Sequence, residues 1–105
     1  NASVSEAAAG ENHNILVSPT AVFACGSNTY GQLGIGEEEK ISRTFHHVKA
    51  LDDKHIQMVA CGAEHSCALT SKGEVYTWGL NFKGQLGSGS FDNRYEPELV
   101  ENLNP

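Results

Sequence analysis

An all-β fold is predicted by three features of the sequence: the chain repeats itself, each copy is about fifty residues long, and each copy alternates short apolar stretches with glycine-bearing turns. Laid on itself, the chain brings Gly62 and His65 onto Gly10 and His13 at an offset of 52 residues. The stretch Trp78 to Gly89 falls onto Cys25 to Gly36 at an offset of 53. The one-residue difference lies in a turn, between Ser18-Pro19-Thr20-Ala21 and the longer Thr70-Ser71-Lys72-Gly73-Glu74, where a length change leaves both flanking registers intact. A period of this length built from strands is that of propeller blades. The prediction is therefore two antiparallel four-stranded blades of a larger β-propeller, residues 1–52 forming the first repeat and residues 53–105 the second.

In the second copy Val59 and Cys61 share one side of a first strand that ends before Gly62. His65, Cys67 and Leu69 alternate with Ser66, Ala68 and Thr70 in a second strand, and Val75 and Thr77 alternate with Tyr76 and Trp78 in a third. Lys72-Gly73 joins the last two, with glycine supplying the positive φ of a tight hairpin. Pro19 in the first copy suits a type I turn instead. A fourth strand spans Tyr95 to Val100, with Phe45 to Val48 as its counterpart; Pro97 has no N–H to give a ladder, which places its strand at an edge. The residues expected to pack between blades are Ile15, Val17, Val59, Leu69, Val75 and Trp78.

Taken in order, G-x-x-H, an apolar strand, a hairpin and V-x-x-W-G-x-N-x-x-G-Q-L-G-x-G resemble the regulator of chromosome condensation repeat. The resemblance runs from Val4 to Val100 and is fullest in the second copy, where Gly62, His65, Leu69, Gly73, Val75, Tyr76, Trp78, Gly79, Asn81, Gly84, Gln85, Leu86, Gly87, Gly89 and Pro97 hold family positions. The first copy departs at Cys25, where tryptophan is usual, at Phe45, where proline is usual, and in its glycine-free hairpin. The resemblance implies a ring of about seven blades, roughly 350 residues, so the chain is expected to be a piece of a longer protein.

Composition narrows the partners. With 7 Lys and Arg against 13 Asp and Glu the net charge is −6, and the isoelectric point is near 5.2. No basic stripe is present to neutralise phosphates, so no direct nucleic acid and no membrane partner is expected, whereas a basic protein surface fits. No apolar run approaches the ~18 residues needed to span a bilayer. Cys25, Cys61 and Cys67 form no C-x-x-C pair, which points to a reducing compartment, cytoplasmic or nuclear. Asn1-Ala2-Ser3 is read as a chance sequon.

The glycine loops Gly31 to Gly36 and Gly84 to Gly89 lack the lysine and Ser/Thr of a phosphate loop, so their glycines are read as turn residues. His13 and His65 have no second titratable residue at a fixed spacing and are expected to bond backbone at blade corners. His46 and His47 are adjacent on a strand and point to opposite faces, which argues against a shared zinc. Cys61 and Cys67 stand where the first copy has Ala9 and Ile15 and are read as small apolar fillers. Trp78 and Tyr76, opposite Cys25 and Phe23, are read as packed between blades. No cofactor, metal or catalytic residue is expected, and the segment is not read as an enzyme.

The copies differ most in the loops after G-Q-L-G, at Glu37, Glu38 and Glu39 and at Asp92, Asn93 and Arg94. Variable loops on a rigid frame are where partners bind, so these six are the candidate partner-binding residues. The function expected is a protein-interaction scaffold, a propeller portion that recruits a protein partner through face loops and needs the remaining repeats to do so. The resemblance also implies two alternatives: guanine nucleotide exchange on a small GTPase, or a targeting module of a larger ubiquitin ligase or kinase.

Overall fold

The computed structural model describes residues 6–18, 21–36, 40–81, 86 and 92–100. Two four-stranded antiparallel sheets account for a little over half of them. The first runs in chain order through β1 (Glu6–Ala9), β2 (His13–Val17), β3 (Val22–Ser27) and β4 (Ile41–His47). The second repeats that order with β5 (Ile56–Cys61), β6 (His65–Thr70), β7 (Val75–Gly79) and β8 (Arg94–Leu99). A 3-10 turn at Lys49–Leu51 links them. No helix among the described residues is long and apolar enough to cross a membrane.

The G-x-x-H motif makes the first turn of each sheet. Gly10 N–H donates to the His13 carbonyl at 2.8 Å, and Gly62 N–H donates to that of His65 at 2.9 Å. The histidine ring folds back over the glycine, so a Cβ on Gly62 would stand 2.6 Å from His65 Nε2 and one on Gly10 would stand 2.7 Å from His13 Nδ1. Glycine is demanded here by the ring, and the spacing of the motif follows from it.

The hairpins share a device that their sequences hide. Thr70 Oγ1 accepts from Lys72 and Glu74 N–H at 3.2 and 3.1 Å, while Ser18 Oγ, its counterpart, accepts from Ala21 N–H at 3.2 Å. Gly73 holds φ +85°, as its tight hairpin predicts. The turn predicted at Pro19 lies outside the described residues. The fourth strands begin earlier than predicted, at Ile41 and Arg94, because β4 and β8 bulge opposite Ala24–Gly26 and Thr77–Gly79 and the ladder continues beyond the bulge to Ser27↔Ile41 and Gly79↔Arg94. Pro97 sits on β8, the edge of its sheet, as predicted.

The core lies where the two sheets meet. Ile15, Val17, Val22 and Ala24 from the first sheet form one buried cluster with Val59, Ala68 and Trp78 from the second. Leu69 and Val75, predicted in the same contact, are only half-buried. A strand has two sides, and β6 turns Ser66, Ala68 and Thr70 into this contact, leaving His65, Cys67 and Leu69 on the opposite face.

Candidate protein-interaction face

Each sheet is an up-and-down meander, so successive connections leave at opposite ends. One end carries the turns 10–12 and 62–64 with the long loops 28–40 and 80–93; the other carries the hairpins 18–21 and 71–74 with the link 48–55. Of the predicted partner-binding residues, Asp92, Asn93 and Arg94 stand at the long-loop end.

One buried asparagine organises each long loop. Asn28 Oδ1 accepts from Leu33 N–H at 3.1 Å and its Nδ2 donates to the Gly36 carbonyl at 2.8 Å. In the second copy Asn81 Oδ1 accepts from Leu86 N–H at 3.1 Å, and its Nδ2 donates to the Asp92 carbonyl at 2.8 Å. Both asparagines are fully buried, and each satisfies backbone groups that a loop would otherwise leave unpaired.

The first loop is also bolted to the second sheet. Buried Gln32 donates from Nε2 to Glu64 Oε1 at 2.7 Å and accepts Tyr30 N–H on Oε1 at 2.9 Å. Its carbonyl receives both the Ser66 hydroxyl at 2.8 Å and the Trp78 indole N–H at 2.9 Å. Glu64 completes the seam by accepting Asn12 Nδ2 on Oε2 at 3.2 Å. Because the single Ser66 proton goes to Gln32, His13 Nε2, 2.9 Å from Ser66 Oγ, is the donor of that pair. His13 thus bonds a side chain of the other sheet, a partner the sequence did not point to. Its ring lies across the seam, where burial draws its pKa below 6.5; the Glu64 carboxylate and the His65 backbone oppose that shift, and the His65 ring adds to it.

The six predicted contact residues separate into three groups. Glu37, Glu38 and Glu39 lie outside the described residues. Asp92 is exposed, while Asn93 Oδ1 accepts Asn81 N–H at 2.9 Å and so shapes the loop. Arg94 opens β8 and pairs through Nη1 with Glu98 Oε2 at 3.3 Å along the strand. Sequence reasoning missed Asn28, Gln32, Glu64 and Ser66. The available signal was the recurrence of the amides in N-x-x-G-Q-L-G, since a repeated amide inside a turn answers a repeated bonding need.

Groups able to hold a metal do not assemble: among the described residues no three of His, Cys, Asp and Glu stand together. His47 Nε2 instead meets Asp52 Oδ1 at 2.8 Å. Cys25, Cys61 and Cys67 are free thiols. Burial pushes the Cys61 pKa up to about 11, and burial raises Cys67 as well. Such thiols behave as apolar filler, as predicted.

Sheets in chain-order meander, packed face against face and pinned by a repeated loop, define a repeat protein of the β-propeller class. The family model of the regulator of chromosome condensation (RCC1) repeat matches residues 21–69 and 72–105, and a second model of that repeat matches residues 56–85. The chain belongs to the RCC1 repeat family. It is 42% identical over 96 residues to human "Probable E3 ubiquitin-protein ligase HERC6", covering 90% of this chain and 9% of that protein. To the ultraviolet-B receptor UVR8 of Arabidopsis thaliana it is 38% identical over 98 residues, covering 92% of this chain and 22% of the receptor. The crystal structure of human WBSCR16 superposes with a TM-score of 0.81 at 34% identity, over 91% of this chain and 25% of that one. Prp20p of Saccharomyces cerevisiae superposes at 0.89 and 22% identity, over 98% of this chain and 26% of Prp20p, a likeness of fold. The two sheets are blades of a larger β-propeller, and the chain spans about a quarter or less of the length of each of these relatives.

Proposed function

We propose that these two blades supply part of a protein-recruiting propeller face, with the loops 28–40 and 80–93 as the contact surface and Glu37, Glu38, Glu39, Asp92, Asn93 and Arg94 as its variable positions. The observation that carries this reading is Gln32, buried at the base of the first loop and bonded to Glu64, Ser66 and Trp78 of the next blade. A loop held in that way presents its outer residues from a rigid frame, which lowers the ordering cost of binding. The acidic character of those positions fits a basic protein surface. Asn93 acts in this scheme by shaping the loop, and Asp92 by its exposed charge.

The kinship with HERC6 favours a second reading within the first, a recruiting module of a larger ubiquitin ligase whose catalysis lies outside these residues. Three free thiols support a cytoplasmic or nuclear setting. The test places a photo-crosslinking amino acid at position 38, 92 or 98 of the intact polypeptide. Protein adducts are expected from positions 38 and 92 and not from 98, on the edge strand. Adducts from 98 alone, or from none of the three, overturn the loop-face reading.

A further inference from the structure

At the opposite end of the blades the β2–β3 hairpin, the inter-blade link and the start of β5 enclose a cleft of about 310 Å³. Val17, Val22 and Leu51, all buried members of the core, line its floor. Asp53 and His55 stand exposed on its rim. Its lining residues come from β2, β3, the link and β5, so both blades contribute to it.

Its rim is charged in an unbalanced way. His47 engages Asp52 at 2.8 Å, and the Lys54 ammonium lies 5.7 Å from the centroid of the Tyr76 ring. Asp53 has neither an ion-pair nor a hydrogen-bond partner for its carboxylate among the described residues, and the His55 ring has none either. Both residues occupy the left-handed region, with φ +68° and +55°, and the His55 carbonyl is held by Ser71 N–H at 3.0 Å. The volume is at the lower limit of ligand pockets, ~300–1,000 Å³, which suits one large side chain better than a nucleotide or cofactor.

We propose that this cleft is a second docking site, separate from the loop face, for a protein segment that presents an aliphatic or aromatic side chain followed by a cationic one. The apolar side chain covers the half-buried Ala21 and Ile56 above the buried Val17, Val22 and Leu51, and the adjacent cation meets the Asp53 carboxylate while His55 bonds the segment's backbone. The cation preference follows from charge: the chain carries −6 overall, and the cleft offers an unpaired carboxylate at its mouth. A propeller engaged at both ends joins two partners across its thickness.

The test titrates the intact, ¹⁵N-labelled polypeptide with two capped hexapeptides, one centred on Leu-Arg and one on Leu-Glu. The Leu-Arg peptide is expected to shift the amide resonances of Val17, Val22, Leu51, Asp53 and His55 and to bind roughly threefold more tightly than Leu-Glu, the range of a solvent-exposed ion pair. Asp53→Asn removes the charge while keeping a residue at ease in the left-handed region, and it should bring the two peptides to equal affinity. Ala21→Phe, which fills the cleft from the hairpin side, should abolish both titrations. Absence of shifts at these residues, equal affinities in the unaltered protein, or undiminished binding in Ala21→Phe overturns the proposal. The readout is local to the cleft and so independent of the loop-face reading.

Discussion

At the scale of single residues the seam between the blades depends on a few polar side chains, each with more than one partner. Trp78 fills buried space and also donates its indole N–H to Gln32. Trp78→Phe keeps most of the volume and removes the donor, so a loss of about 1 kcal/mol is expected by chemical denaturation of the intact protein. Ser66→Ala also leaves the His13 N–H without its acceptor and should cost more, about 1–3 kcal/mol. His13 sets the pH response of the same seam. Its pKa is lowered from 6.5 in the folded state, chiefly by burial, so below 6.5 the unfolded chain binds more protons than the folded one. This contribution is fully present above pH 6.5 and is lost as pH falls through the folded-state pKa. Melting temperatures recorded from pH 7.5 down to 5 should therefore fall more steeply for the native protein than for His13→Gln. Parallel curves would show that His13 does not carry the response. Cys61, with its pKa pushed up to about 11, holds only about one part in a thousand as thiolate at pH 8, and its alkylation should be slow until the protein is unfolded.

At the scale of elements the glycine loop is a joint as well as a turn. Gly31 holds φ +87°, and a Cβ there would stand 2.5 Å from the Arg94 carbonyl and 2.6 Å from Tyr95 Cα, both backbone atoms of the next blade. Gly36 holds φ +93° but faces open space. Valine at either position meets the strain of the positive φ, and only at Gly31 must the neighbouring blade also move. Gly31→Val should cost about 1–3 kcal/mol more than Gly36→Val in the intact propeller. Equal midpoints for the two variants would show that the loop does not brace the neighbouring blade.

At the scale of the whole molecule two sheet faces carry apolar residues that their neighbours among the described residues cover only in part. One presents Leu16, Phe23 and Cys25, and the other presents Cys67, Leu69 and Val75, all only half-buried. By the repeat these are the two halves of one contact: Leu16 and Phe23 correspond to Ala68 and Tyr76, while Cys67 and Leu69 correspond to Ile15 and Val17. Each face is therefore shaped for another blade. Residues 1–105 expressed alone should self-associate or lose amide protection on these faces, because several hundred Å² of exposed apolar surface exceeds what monomers commonly carry in one patch. Light scattering after size exclusion, joined to hydrogen exchange, reads both outcomes. A dilute monomer protected throughout would show that two blades suffice.

The repeat, the strands, the edge position of Pro97 and the blade architecture were legible in the sequence, because period and alternation are local properties that burial imposes on every copy. The buried place of Trp78 and the filler character of Cys61 were legible by comparing one copy with the other. The face that each strand buries was not legible, since both sides of a blade are apolar and only the packing of the sheets placed Leu69 and Val75 outside the contact. Nor was the network of Gln32, Glu64, Ser66 and His13. Its partners lie 32 to 53 residues apart, and a side-chain hydrogen bond across that separation leaves no periodic mark in the chain that makes it. Tertiary structure decided those pairs because distance and direction between two sheets, which no local pattern encodes, determine which donor meets which acceptor.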